Sequence, residues 1–136
     1  MAEQENDAPK TPYDRLGGEA VVAALVERFY DAMEQDFPAL AALHEREDGK
    51  VSRGARDRFA LFLNGWLGGP QDYLAKHGHP RLRMRHGHLP IDGALRDAWL
   101  ACMKKAMAGM TLEPSLKAFL DGRFAEVADF LRNRPG

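Results

Sequence analysis

The segment from Lys76 to Trp99 restricts what this chain can fold into more than any other. Four of the chain's five histidines, at positions 77, 79, 86 and 88, fall within twelve residues and are interleaved with Arg81, Arg83 and Arg85. Gly78 and Pro80 bracket His79, so no long helix runs through them. The spacing predicts one or two helical turns over 81–86, opened by Pro80 and stopped by Gly87 before Pro90. His86 then lies at the end of a very short helix, held by the backbone and aimed one way. Leu82, four residues earlier, shares its face.

That grouping suits an apolar cofactor with anionic groups: an imidazole for a metal, Leu82 for a flat apolar body, guanidinium forks for carboxylates. Two other readings remain open on the residues alone. Paired His-x-His could chelate zinc, although zinc sites lacking Cys usually include a carboxylate. The nearest, Asp72 and Asp92, lie outside the cluster, and three arginines repel a dication. A solvated basic patch is the other, since exposed Arg and His are common.

The flanking chain predicts an all-α domain. Val22, Leu25, Val26, Phe29, Tyr30 and Met33 follow helical spacing over about 19–35, ended by Pro38. Ser52 caps a second helix to about Leu67, with Ala55, Phe59, Phe62, Leu63 and Trp66 as its buried face. Gly68-Gly69-Pro70 stops it. Asp92 caps a third, to about Gly109, with Leu95, Trp99, Cys102, Met103, Ala106 and Met110 on one side. Thr111 caps a fourth, to about Arg132, carrying Leu116, Leu120, Phe124, Val127 and Leu131. Tyr13 to Leu16 makes a short docking turn, 37–50 is irregular, and 71–76 gives at most a short turn with Tyr73 and Leu74. No segment alternates with period two. Residues 1–11 are expected to be a flexible tail and 12–134 the single domain.

At 136 residues and 45% apolar composition the chain can fill a core. A net charge of -1 gives no reason to expect nucleic acid or an anionic membrane as partner. The single Cys102 excludes an internal disulfide and a Cys-based metal site. No apolar run approaches the roughly 20 residues of a membrane span. The acidic start lacks an apolar signal core, which points to the cytoplasm.

Tyr13-Asp14-Arg15-Leu16-Gly17-Gly18, Arg28-Phe29-Tyr30, Leu67-Gly68-Gly69-Pro70, the run from Gly78 to His86, and Arg96-Asp97-Ala98-Trp99-Leu100 together resemble the truncated haemoglobins, specifically their second group. The resemblance implies a globin-like two-over-two helical sandwich around haem b. It implies His86 as the proximal iron ligand, and Tyr30 and Trp99 as distal hydrogen-bond donors to a bound gas. His44 falls at the corner position where the family places Tyr, Phe or His, though Glu45 follows it instead of the usual Pro. Ala55 stands where other globins hold a distal His. Phe59 and Phe62 would wall the pocket, beside Leu82. His79, Arg83, Arg85 and Tyr73 are candidate partners for the haem propionates. His77 and His88 are expected to face solvent, and Cys102 to be a buried small residue rather than a nucleophile.

The function implied is dioxygen binding in a sensor, scavenger or redox role, with CO and NO as further gases. The alternative is a haem enzyme, a peroxidase or nitric oxide dioxygenase, the latter needing an unidentified reductase. A haem-free helical or zinc-binding domain is the outsider. The chain is expected to act as a monomer or homodimer.

Overall fold

The computed structural model describes residues 10–79 and 91–131. The expected turns over 81–86, the tail over 1–9 and the chain after 131 lie outside the described residues. So do Leu82, Arg83, Arg85, His86 and His88.

Seven helices and one hairpin are described: α1 (Pro12–Leu16), α2 (Glu19–Asp36), α3 (Pro38–Ala41), β1 (Arg46–Glu47), β2 (Lys50–Val51), α4 (Arg53–Trp66), α5 (Asp72–His77), α6 (Gly93–Ala108) and α7 (Pro114–Leu131). The long helices pack as a two-over-two sandwich. Helix α2 lies against both α4 and α6, and α6 against α7. The apolar row of α2 accounts for this: Val22, Leu25, Phe29 and Met33 are all 0% exposed. Cys102, Met103, Ala106 and Met107 of α6 face it, and Leu116, Leu120 and Phe124 of α7 complete the core. Among the described residues no helix is long and apolar enough to cross a membrane.

Local chemistry sets the element ends. Ser52 Oγ accepts the Ala55 N–H at 3.0 Å and donates to Glu45 Oε1 at 2.6 Å, so the cap of α4 is itself tied to the preceding loop. Asp92 Oδ1 accepts the Leu95 N–H at 2.9 Å and starts α6. Thr11 and Asp14 form a reciprocal capping box on α1. That helix docks where the chain leaves α4: Tyr13 N–H donates to Leu67 O at 3.0 Å, and its ring lies where a Cβ on Gly69 would be, 2.6 Å away. The Gly68-Gly69 stop is thus also a seat for Tyr13.

Three expectations are corrected. Pro114 opens α7 and Glu113 O accepts the first i→i+4 bond, from Lys117, so Glu113 and not Thr111 holds the cap position. The loop over 37–50 contains a helical turn and an antiparallel hairpin, Arg46 opposite Val51 and Glu47 opposite Lys50. Asp48 and Gly49 both take left-handed φ, 53° and 79°, the backbone a tight two-residue hairpin needs. Finally, the face of α4 expected to be buried is only half covered. Arg56, Leu63 and Asn64 are buried, whereas Ala55, Phe59, Phe62 and Trp66 are intermediate. Phe59 and Trp66 of this row meet rings of α2, α6 and α7, and Phe62 and Trp66 also front a cleft.

Helices α2 and α4 are joined by charge. Arg53 and Arg56 on α4 meet Glu27, Asp31 and Glu34, which lie at i, i+4 and i+7 on one face of α2. The hydrogen bond from Arg53, with that from Arg56 behind it, holds the Glu27 carboxyl below its ordinary value of 4.5 against the opposing effect of burial. A depressed folded-state value means the stabilisation is present above the ordinary value and is lost as the pH falls through the folded-state one. Glu27→Gln should therefore lower the urea midpoint at about pH 7, and the gap to wild type should narrow as the pH falls below the ordinary carboxylate range. A gap that does not change with pH would show that the ionised carboxylate is not what Glu27 contributes.

Candidate functional site

The candidate residues that are described come together from four elements. Tyr30 reaches in from α2, His44 from the loop after α3, Phe59 from α4 and Trp99 from α6. Their common centre is Phe29, 0% exposed. Its ring centroid is 4.9 Å from Tyr30, 5.4 Å from Phe59 and 5.3 Å from Trp99, with the Tyr30 and Trp99 contacts edge-to-face. Tyr30 in turn meets His44 at 5.5 Å and Phe59 at 5.8 Å, both edge-to-face. Phe59 and Trp99 stand 6.5 Å apart. Such ring pairs contribute about 0.5–1.5 kcal/mol each beyond area burial.

Phe29 had been read only as a core residue; nothing in its own spacing separates a pocket pivot from packing. The wall extends beyond the expected residues. Trp99 continues to Phe124 at 6.0 Å, and Phe124 stacks on Trp66 at 5.2 Å. Phe59 stacks on Phe62 at 6.4 Å, and Phe62 meets Tyr73 edge-on at 5.9 Å.

A cleft of about 280 Å³ lies along this second arm, lined by Phe62, Trp66, Tyr73, Leu74 and His79. Tyr73 and His79 thus share the cleft, on the side where the chain enters the 80–90 segment. His77, expected to face solvent, is half-buried and rests its ring 5.0 Å from Tyr73.

Burial dominates the chemistry of Tyr30. Its side chain is 5% exposed. Loss of water pushes its hydroxyl pKa far above the ordinary tyrosine value, outweighing the opposing fields of Arg56 and Arg58. Tyr30 is therefore a neutral hydrogen-bond donor at any working pH.

His44 is different. Its Nδ1 lies 3.0 Å from Leu40 O. A carbonyl only accepts, so Nδ1 carries the proton, which fixes the ring against Tyr30. Cys102 is 1% exposed, and burial pushes its thiol up to about 11, so it packs as an apolar residue and stays a thiol.

A flat apolar cofactor fits these residues. Phe59, Phe62, Trp66 and Trp99 belong to rows that helical spacing turns inward, yet each is only half covered by the protein. A large apolar group against them would complete their burial. Polar groups sit at the ends of the wall, with Tyr30 and His44 at one end and Tyr73 and His79 at the other.

Residues 11–133 match the bacterial-like globin family. A group 2 truncated haemoglobin of Bacillus subtilis is 37% identical over 123 residues, covering 90% of this chain and 89% of that protein. Among solved structures, the cold-adapted truncated haemoglobin of Pseudoalteromonas haloplanktis superposes with a TM-score of 0.85 at 42% identity, covering 92% of this chain and 99% of that one. The group II two-on-two haemoglobin of Agrobacterium tumefaciens superposes with a TM-score of 0.85 at 34% identity, covering 96% and 98%. The helical order described above superposes on these relatives over nearly its whole length, and the chain belongs to the bacterial-like globins as a truncated haemoglobin of group II.

Proposed function

We propose that this chain binds haem b and takes up dioxygen, held by hydrogen bonds from Tyr30 and Trp99. The observation that carries the reading is the convergence of Tyr30, His44, Phe59 and Trp99, from four separate elements, on one end of a half-covered aromatic wall. When bound, haem supplies an iron that takes a diatomic gas and shifts negative charge onto it. Everything else is done by the chain. Phe59, Phe62 and Trp66 exclude water and bury the apolar ring. Tyr30 and Trp99 each offer one N–H or O–H from different walls, and neither changes protonation near neutral pH. His86 is the proposed iron ligand, on the strength of its place in the run from Gly78 to His86. Arg83, Arg85, His79 and Tyr73 are the proposed propionate partners, and Leu82 an apolar contact.

A gas gripped by two donors leaves slowly. That favours a sensor, scavenger or redox role over delivery. A truncated haemoglobin of Bacillus subtilis described as oxygen-avid is 35% identical and superposes with a TM-score of 0.79. A second reading, peroxide reduction, draws on His44 as the candidate acid–base group, since its ring meets Tyr30 edge-on at 5.5 Å and is oriented by the Nδ1 contact to Leu40 O.

The test of the main reading is oxygen release by stopped flow. A hydrogen bond to a charged group contributes about 1.5–3 kcal/mol, so Tyr30→Phe and Trp99→Phe should each speed release roughly 10- to 150-fold. Carbon monoxide gathers less charge, and its release should change less. Oxygen release within about twofold of wild type in both variants would sink the donor assignment. Separately, His86→Ala should abolish stable haem binding, while Arg83→Ala or Arg85→Ala should speed haem transfer to a scavenging apoprotein with little change in gas binding. Full haem retention in His86→Ala with an unaltered ferrous spectrum would remove His86 as ligand.

A further inference from the structure

We propose that Arg56 is a positioning residue for Tyr30: its pinned guanidinium forms a fixed wall against the phenol ring and so sets where the hydroxyl points. The inference rests on the reading of Tyr30 as a gas donor given above.

Arg56 lies on α4 with its side chain 5% exposed, and its Cζ is 5.6 Å from the centroid of the Tyr30 ring. Four contacts pin it. Nε donates to Val51 O at 3.0 Å, Nη1 to Glu27 Oε1 and Asp31 Oδ1, both at 2.9 Å, and Nη2 to Glu34 Oε1 at 3.0 Å. Glu34 is itself anchored, since its Oε2 accepts the Val51 N–H at 2.5 Å. A planar fork bonded along its edges has no rotamer to move to.

The acceptors are placed around Tyr30 by helix geometry. Glu27 is three residues before it and Glu34 four after, so both share its face of α2. Phe29, His44 and Phe59 also meet the ring, each edge-on. Among these ring contacts Arg56 supplies the guanidinium plane. Its influence on Tyr30 is one of place more than charge, because three carboxylates surround the one cation. Joining α2 to α4 does not by itself call for a buried arginine; a well-packed apolar side chain often serves such a contact equally well. A rigid plane against the ring is what the guanidinium adds.

Two readouts test this. The first is the flip rate of the Tyr30 ring, followed by NMR on protein carrying labelled tyrosine. Arg56→Met should speed it with or without haem. The second is a double-mutant cycle on oxygen release. Arg56→Met should speed release about 5- to 30-fold in wild type, the range that spans a partly to a fully desolvated cation–ring contact. In a Tyr30→Phe background the same change should have an effect under about twofold, because its target is gone. Glu34→Gln keeps the volume of its acceptor and loosens the fork; it carries the same cycle should Arg56→Met not fold. Faster release that persists fully in the Tyr30→Phe background, or a Tyr30 ring that flips no faster, overturns the positioning role. Unchanged release in Tyr30→Phe alone would overturn the gas-donor reading, and the flip rate would still decide for or against the positioning role.

Discussion

Phe29 is the contact on which the rest depends. It is fully buried, it belongs to the longest apolar row of α2, and its ring touches groups from α4 and α6 as well as its own neighbour Tyr30. Edge-to-face contacts prefer particular angles, so the ring fixes the relative placement of three helices as well as filling space. Tyr30 of α2 and Trp99 of α6 are both braced on it, each edge-to-face. A smaller residue at 29 would leave a cavity and let both walls move. The site is in this sense an outgrowth of the core.

The second constraint is electrostatic. Burying a guanidinium requires partners, and α2 supplies Glu27, Asp31 and Glu34 along one face while Val51 closes the fork from the hairpin. The hairpin thus has a purpose beyond turning the chain. It brings a carbonyl and an N–H to Arg56 and Glu34, and Glu45, just before it, tethers the Ser52 cap of α4. The loop that looked irregular is what locks α4 against α2.

Much of this was legible in the sequence. The four long helices follow from apolar spacing, and Ser52 and Asp92 cap where short polar side chains precede such rows. Tyr30 and Trp99 could be singled out, together with the punctuated histidine segment. Periodicity stopped short in identifiable ways. Two-residue strands are too brief to show alternation, and the signal for the hairpin was the Asp48-Gly49 pair. Pro114 outweighed Thr111 because proline suits the first helical position and moves the cap to Glu113. Spacing marked the inward row of α4 but not what covers it, so Phe59, Phe62 and Trp66 were expected to be buried and are half-covered. Arg56 was overlooked because its partners are non-local, 22 to 29 residues away. The trace it left was three acids at helical spacing on α2 and two arginines, Arg53 and Arg56, three residues apart on the next long helix.

The account turns on one claim, that the half-covered aromatic wall is completed by haem. Titrating haem-free protein with haem while following the absorption spectrum and thermal unfolding tests it directly. The account predicts equimolar uptake with an intense Soret band, quenched Trp66 and Trp99 fluorescence and a raised unfolding temperature. Protein that folds to the same stability without haem and shows no saturable uptake would contradict it.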